Sequence, residues 1–309
     1  MLVVERSSGT LRDLQFRDLP DFIRSGDTVV LNRSRVIPSR IFGRSESGAV
    51  VQLFLLKPVG DLRWIALGRP GRRLLPHRTI TFQRGLTAKV LETLERGERL
   101  VEFGGLANNQ ELFAFLEDYG HVPLPPYIHR PDTELDKSRY QTVFAHERGS
   151  VAAPTAGLHF TEEMIERLKA REATVAQVAL HVGLGTFQPI DREDFENHHL
   201  HQESYHIGPE SWSLIERAQR VVAVGTTSVR TIESASRSGQ LDGETDLFLY
   251  PGARFEKTGA LLTNFHLPKS SLLLLVCAFG GTDLILEAYR HAVKARYRFF
   301  SYGDCMLVT

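Results

Sequence analysis

The hydrophobic pattern of the chain changes period at Gly104-Gly105, and this change constrains the fold more than any single motif. Before it, short segments rich in β-branched and aromatic residues follow one another: Val50 to Leu56, Arg63 to Leu67, Thr79 to Phe82, Ala88 to Leu91 and Leu100 to Phe103. Turns separate them at roughly 8–12 residues, the spacing of a small barrel or sandwich. Upstream, Leu2 to Glu5 and Leu11 to Phe16 flank Ser7-Ser8-Gly9 as a hairpin, a short helix is predicted over Leu19–Arg24, and Thr28 to Asn32 reads as a strand. After Gly105 helices and strands alternate. Asn109 to Tyr119 is an amphipathic helix closed by Gly120. Further helices are predicted over Glu162–Arg171, Glu210–Arg220 and Ser228–Ser236, with a long helix or a helix pair over Ser270–Ala295. Strands are predicted over Thr174–Val182, Val221–Val224 and Asp246–Tyr250. Such alternation indicates an α/β layered domain. The expected architecture is that α/β layered domain, residues 1–43 and 105–309, with a small basic β-barrel domain inserted as residues 44–104.

Composition narrows the class. With 42% hydrophobic and 24% charged residues the chain is an ordinary globular sequence, and disorder is not expected. Its first ten residues turn charged too early for a signal peptide, and its longest apolar run, Leu272 to Phe279, is far short of the roughly 20 residues that span a bilayer. Cys277 and Cys305 form neither a C-x-x-C pair nor a disulfide framework. These features predict a soluble, cytoplasmic protein with no membrane partner. The net charge is zero but unevenly placed: from Arg33 to Leu91 twelve Lys and Arg face two acids, so the remainder carries the balancing −10. Such a basic stretch is either a phosphate-facing surface or a solvated face that offsets the acidic part.

Chemistry-bearing residues concentrate in loops where strands end. In Ser150-Val-Ala-Ala-Pro154-Thr155-Ala-Gly157-Leu-His159-Phe-Thr161, Thr161 with Glu162 and Glu163 reads as a helix N-cap, whereas His159 is either a satisfied polar residue or a base. His181-Val-Gly183-Leu-Gly185-Thr186-Phe lacks the third glycine of a dinucleotide loop, yet its two glycines let backbone approach a ligand. Gly225-Thr226-Thr227-Ser228-Val-Arg230 runs from a strand into a helix start, suited to an anion or merely to capping. Gly243-Glu244-Thr245-Asp246 to Tyr250, Thr263-Asn264-Phe-His266 with Lys269, and Tyr302-Gly303-Asp304 add carboxylate, amide, imidazole and phenol groups that together suggest a shared pocket. His198-His199-Leu-His201-Gln-Glu203 has the look of a metal cluster, but its i, i+3 histidines do not match the i, i+4 spacing of a helical zinc pair, and no metal is expected.

Read together, SVAAPTAGLHFT, HVGLGTF, His198-x-x-His201-x-Glu203, VGTTSVRT, GETDLFLYPG, LLTNFHLPKSSLLLLVCAFGG and YRFFSYGDCML resemble the signature segments of the S-adenosylmethionine:tRNA ribosyltransferase-isomerase family of queuosine biosynthesis. Val36 to Gly43, Arg69 to Arg73 and His121 to Ile128 extend the match. The resemblance implies a two-domain fold and a co-substrate, S-adenosyl-L-methionine, that gives its ribosyl portion to a 7-aminomethyl-7-deazaguanine at the tRNA wobble position. Adenine and methionine leave and epoxyqueuosine remains. That chemistry needs a base beside the sulfonium and an acid for departing adenine. The candidates are His159, His181, His266, Glu244 and Asp246. Pro154, Thr155, Gly157, Gly183, Gly185, Thr186, Gly225, Thr226, Thr227, Ser228, Arg230, Tyr250, Asn264, Lys269, Tyr302 and Asp304 are expected to line the substrate, the Gly225–Ser228 turn and Arg230 receiving the methionine carboxylate and Phe187 or Tyr302 stacking on the flipped base. Arg35, Arg40, Arg69, Arg72 and Arg73 are expected to meet RNA, and the protein to act as a monomer.

The chain departs from the family pattern at three places. A segment the family usually carries upstream of the strand at Leu2 does not precede it in the sequence as given, which implies either a miscalled start or a lost element; Arg33 stands where Asp or Asn is favoured, and Cys305 replaces Ala. The first departure motivates an alternative, a truncated, inactive or altered homologue that still binds tRNA. A methyltransferase would require an acidic-Gly-x-Gly loop after a first strand, which is missing, and a bare RNA-binding module would leave the polar loops of the second half without a purpose.

Overall fold

Gly9, at φ 71°, turns β1 (Leu2–Glu5) back as β2 (Thr10–Asp13), so the expected hairpin forms with a shorter second strand. The short helix that follows is a 3-10 segment, Phe16–Phe22, placed earlier than expected and carrying Pro20 inside it. The computed structural model describes residues 1–125, 127–183, 190 and 200–309. Two compact units emerge: Met1–Arg35, Gln141–Glu147 and Ala153–Thr309 in the first, Val36–Tyr140 and Arg148–Ala152 in the second.

β3 (Asp27–Asn32) and β4 (Ser34–Val36) precede the second unit, whose strands close into a barrel. These are β5 (Arg40–Ser45), β6 (Val50–Gly60), β7 (Arg63–Arg69), β8 (Thr79–Thr81), β9 (Thr87–Thr93) and β10 (Arg99–Gly104), in the order β10-β7-β6-β5-β8-β9. Alternate residues point inward, so Ile41, Val51, Leu53, Leu55, Trp64 and Ala66 are fully buried while their neighbours face outward. α1 (Asn109–Tyr119), capped by the Asn108 side chain, adds Leu112, Phe115 and Leu116 to the same core. The barrel's first strand therefore begins before residue 44 and its packing helix ends after residue 104. The second unit is accordingly wider than the expected insertion, because closing six strands requires β5 and because the helix has its apolar face on them. α2 (Glu134–Arg139) and β11 (Glu147–Ser150) follow.

The first unit holds α3 (Glu162–Lys169), β12 (Thr174–Leu180), β13 (Glu203–Ile207), α4 (Pro209–Arg217), β14 (Arg220–Val224), α5 (Thr226–Ser238), β15 (Asp242–Thr245), β16 (Thr258–Asn264), α6 (Ser271–Gly280), α7 (Thr282–Lys294) and β17 (Cys305–Val308). Among the described residues its sheet has the order β15-β13-β12-β3-β14-β16-β17-β1-β2. β12, β3, β14 and β16 run parallel in its middle, which is why their residues are apolar on both faces. The core under this sheet joins Val29, Leu31, Val222, Val224 and Leu262 to Phe160, Met164 and Leu168.

One sequence expectation changes here, and one that left two forms open is resolved. Asp246 to Tyr250 is not a strand; pairing stops at Thr245, whose Oγ1 accepts from Leu247 N at 3.1 Å and turns the chain. The predicted Ser270–Ala295 segment is a pair of helices meeting at 115°, with Gly281 at φ 86° between them, and no single described helix is long and apolar enough to cross a membrane.

Candidate active site

Sheet topology gathers most of the expected residues at one edge of the first unit. The parallel strands end in Asn32, Leu180, Val224 and Asn264, which places Arg33, His181, Gly225 and His266 just beyond their carboxyl ends. β17 runs antiparallel to β16 with Cys305 opposite Asn264, so Tyr302 and Asp304 lie at this edge too. Tyr205 opposite Leu180 and Thr245 opposite Glu203 bring Glu203, Glu244 and Asp246 to it. Carboxyl ends of parallel strands are where open α/β sheets place ligands.

The His159 cluster is the most defined. His159 closes the 3-10 turn Thr155–His159, and its Nε2 lies 3.0 Å from Asn264 Oδ1. The Asn264 amide nitrogen donates to Phe300 O at 2.9 Å and to Ser301 O at 3.3 Å, which fixes the orientation of the amide. Its Oδ1 can only accept, so His159 Nε2 carries the proton and Nδ1 is left as the basic nitrogen. Phe16 packs on the ring at 5.3 Å, and burial pushes the imidazole below its ordinary value, outweighing the opposite pull of Asn264. His159, Tyr302 and Asp304 share an open pocket of about 530 Å³, within the range of small-molecule sites. Burial raises the Asp304 carboxyl, but Arg298, through guanidinium and backbone amide, holds it below the usual range, so it is a carboxylate.

The other two histidines stand elsewhere on this edge. His181 Nε2 is 3.5 Å from Glu147 Oε1, and Arg33 Nε donates to Glu147 Oε2 at 2.9 Å. Arg33, the departure from the family pattern, is thus the counter-charge of the carboxylate beside His181. Glu147 was not anticipated, because its partner lies 114 positions away and nothing in its own neighbourhood marks it. His266 shares a 2.8 Å hydrogen bond with Thr263 Oγ1, its backbone amide donates to Tyr289 OH at 2.8 Å, and burial pushes its ring down to about 4.

Several expected binding residues have protein partners. Arg230, expected to meet a substrate carboxylate, is buried and donates to the Glu203 carboxylate and to Leu247 O and Thr245 O. Glu203 Oε1 also accepts from Gly183 N at 2.8 Å. Gly157 is required by packing, since a Cβ there would lie 2.7 Å from Thr142 Cγ2 and 2.8 Å from Phe144 Cζ. Thr226, Thr227 and Ser228 are buried at the start of α5, with Gly225 at φ 87°. Glu244, Asp246 and Lys269 are exposed, while Pro154 is buried and Thr155 and Tyr250 are half-buried. Gly185, Thr186, Phe187, His198 and His199 lie outside the described residues.

The sequence model of the family described as queuosine biosynthesis protein matches residues 1–308 of this chain. The chain belongs to that family. Queuosine biosynthesis proteins similar to it include the S-adenosylmethionine:tRNA ribosyltransferase-isomerase of Solibacter usitatus, 56% identical over 100% of this chain and 92% of the relative. The enzyme of the same name from Symbiobacterium thermophilum is 48% identical with the same coverage. The crystal structure of S-adenosylmethionine tRNA ribosyltransferase from Thermotoga maritima is 34% identical, with a TM-score of 0.54 over 100% of this chain and 91% of that one. A barrel and an α/β sheet are therefore the family's architecture in this chain.

Proposed function

We infer that this chain is an S-adenosylmethionine:tRNA ribosyltransferase-isomerase. It transfers and isomerises the ribosyl moiety of S-adenosylmethionine onto 7-aminomethyl-7-deazaguanine in tRNA, giving epoxyqueuosine and releasing adenine and methionine. Full-length similarity to proteins of that name supports this reading over an inactive homologue. The protein works in the cytoplasm as a monomer whose partner is its tRNA.

His159 is the base that removes the proton beside the sulfonium. One observation carries this assignment: Asn264 holds the proton on Nε2 and leaves Nδ1 basic, in a residue that lines a pocket of suitable size. A lowered imidazole value keeps the ring neutral at pH 7, as a base must be. Asp304 and Tyr302 line the same pocket, a carboxylate suited to the cationic sulfonium and a ring suited to a base. The Gly225–Ser228 turn at the start of α5 takes the methionine carboxylate, with Arg230 holding Glu203 behind it. His181 and His266, Glu244 and Asp246 remain candidates for the acid that protonates adenine. The test is single replacement of His159, His181 and His266 by Ala with ribose-labelled donor and precursor-bearing tRNA. His159→Ala should lower label transfer by roughly 10²–10⁴-fold, and turnover unchanged in that variant overturns the assignment.

A further inference from the structure

On the outer face of β5, β6 and β7, aromatic rings and arginines share one sheet surface. Phe42 lies opposite Gln52 and Gln52 opposite Arg69, while Arg40 lies opposite Phe54, so two rows cross neighbouring strands on the side away from the barrel core. Phe42 is 41% exposed, yet its ring is held edge-to-face against His121 at 5.2 Å, and Asp132 anchors that imidazole at 2.9 Å. Arg40 Cζ sits 5.6 Å from the centre of the Phe54 ring, and its buried Nε has no hydrogen-bond partner. Arg63, Arg78 and Arg84 of the same barrel each pair with an acid. Among the described residues no ion pair involves Arg44, Arg69, Arg72 or Arg73, while Arg40 has the Asp132 carboxylate as a nearby opposite charge.

A surface serving only solubility has no need of a fixed, exposed phenyl ring between a half-buried arginine, Arg40, and an arginine, Arg69, without an ion pair. The combination suits single-stranded RNA, in which unstacked bases offer a π-face and the flanking phosphates need cations. Bases in a duplex are already stacked on each other and give such a ring nothing to hold. We propose that this face binds the unpaired anticodon loop of the substrate tRNA, with a base stacked on Phe42 and neighbouring phosphates on Arg40 and Arg69. The inference rests on the reading of tRNA as substrate, and it assigns a role to Phe42 that no motif suggests.

Binding of the full chain to a tRNA transcript carrying 2-aminopurine in its anticodon loop, measured across a salt series, tests it. Phe42→Ala should weaken binding about 5- to 140-fold, from ~1–3 kcal/mol per stacked base at 1.4 kcal/mol per decade. It should also abolish the quenching of 2-aminopurine and leave the salt slope unchanged, while Phe42→Trp restores both affinity and quenching. Arg69→Gln should instead lower the slope of log K against log salt by about 0.7–0.9. Phe42→Leu keeps an apolar contact with His121 and should fail as the Ala variant does, so the test survives if Ala disturbs folding. Equal affinity and quenching in wild type and Phe42→Leu overturn the surface while leaving tRNA as substrate. A wild-type chain that does not bind the transcript even at low salt overturns the substrate reading, and the surface with it.

Discussion

Glu147 shows how a single residue acquires its meaning from distant partners. The His181 contact and then the Arg33 charge hold its carboxyl at about 2 against the desolvation that opposes them. The folded state therefore releases this proton more readily than the unfolded chain, so the stabilisation is complete above the ordinary value of 4.5 and is lost as pH falls toward 2. His266 works in the same direction by another cause. Its ring is buried and its value lies near 4, so below the ordinary 6.5 the unfolded chain takes up the proton first and stability falls as pH drops from 6.5 to 4. His159, also lowered by burial, adds to that stage. The urea midpoint is expected to be flat from pH 6.5 up to the ordinary thiol value of 9.0, above which the buried Cys277 and Cys305 lower it, and to fall on acidification, less steeply in His266→Asn than in wild type. An identical profile in the variant would contradict a buried neutral ring. At this scale the sequence marked the histidines, the asparagine and the unusual Arg33. It did not mark Glu147 or Arg298, because a carboxylate or guanidinium in a charged stretch looks the same whether it is solvated or bound.

Elements were legible where their signals are local. α1 has the predicted bounds: Asn108 caps its start from within one turn of the chain, whereas Gly120 at its end is extended at φ −80° and is required by Pro38, whose carbonyl oxygen would lie 2.0 Å from a Cβ there. Thr161 likewise caps α3, its Oγ1 accepting from Met164 N at 3.1 Å, and Thr161→Ala should cost about 1 kcal/mol in denaturant unfolding. β13 was hidden by its histidine-rich surroundings, although Glu203, Tyr205 and Ile207 alternate with less buried residues as a half-buried strand requires. β16 was hidden for the opposite reason, being buried on both faces and thus without alternation. Its start is fixed by Glu233 on α5, a fully buried carboxylate that accepts from the backbone amides of Glu256, Lys257 and Thr258 and from Thr258 Oγ1. Glu233→Ala strands several buried donors and should destabilise by at least about 3 kcal/mol, whereas Glu233→Gln keeps part of the set and should cost less. Comparable melting of both variants would show that this carboxylate does not anchor the strand.

For the whole molecule, a net charge of zero conceals a division that salt should reveal. The basic residues concentrate between Arg33 and Leu91, mostly in the barrel unit, and Arg44, Arg69, Arg72 and Arg73 have no ion-paired acid among the described residues. Affinity for tRNA is expected to fall steeply with salt despite that neutrality, and Arg72→Gln or Arg73→Gln should each reduce the log–log slope by about 0.7–0.9. A slope near zero in wild type would mean that these arginines meet no phosphate. By itself the sequence determined what depends on neighbours along the chain: the change of period, the caps, the presence of a barrel and an α/β layer, and the loops that carry polar groups. Only the tertiary structure decided where the second unit begins and ends, which strands lie side by side, and which polar groups are already satisfied. It tied His159 to Asn264 across 105 positions and took Arg230 for Glu203. Strand pairing and the burial of charge depend on contacts between residues far apart in the chain, and a linear pattern holds no record of which distant partner will arrive.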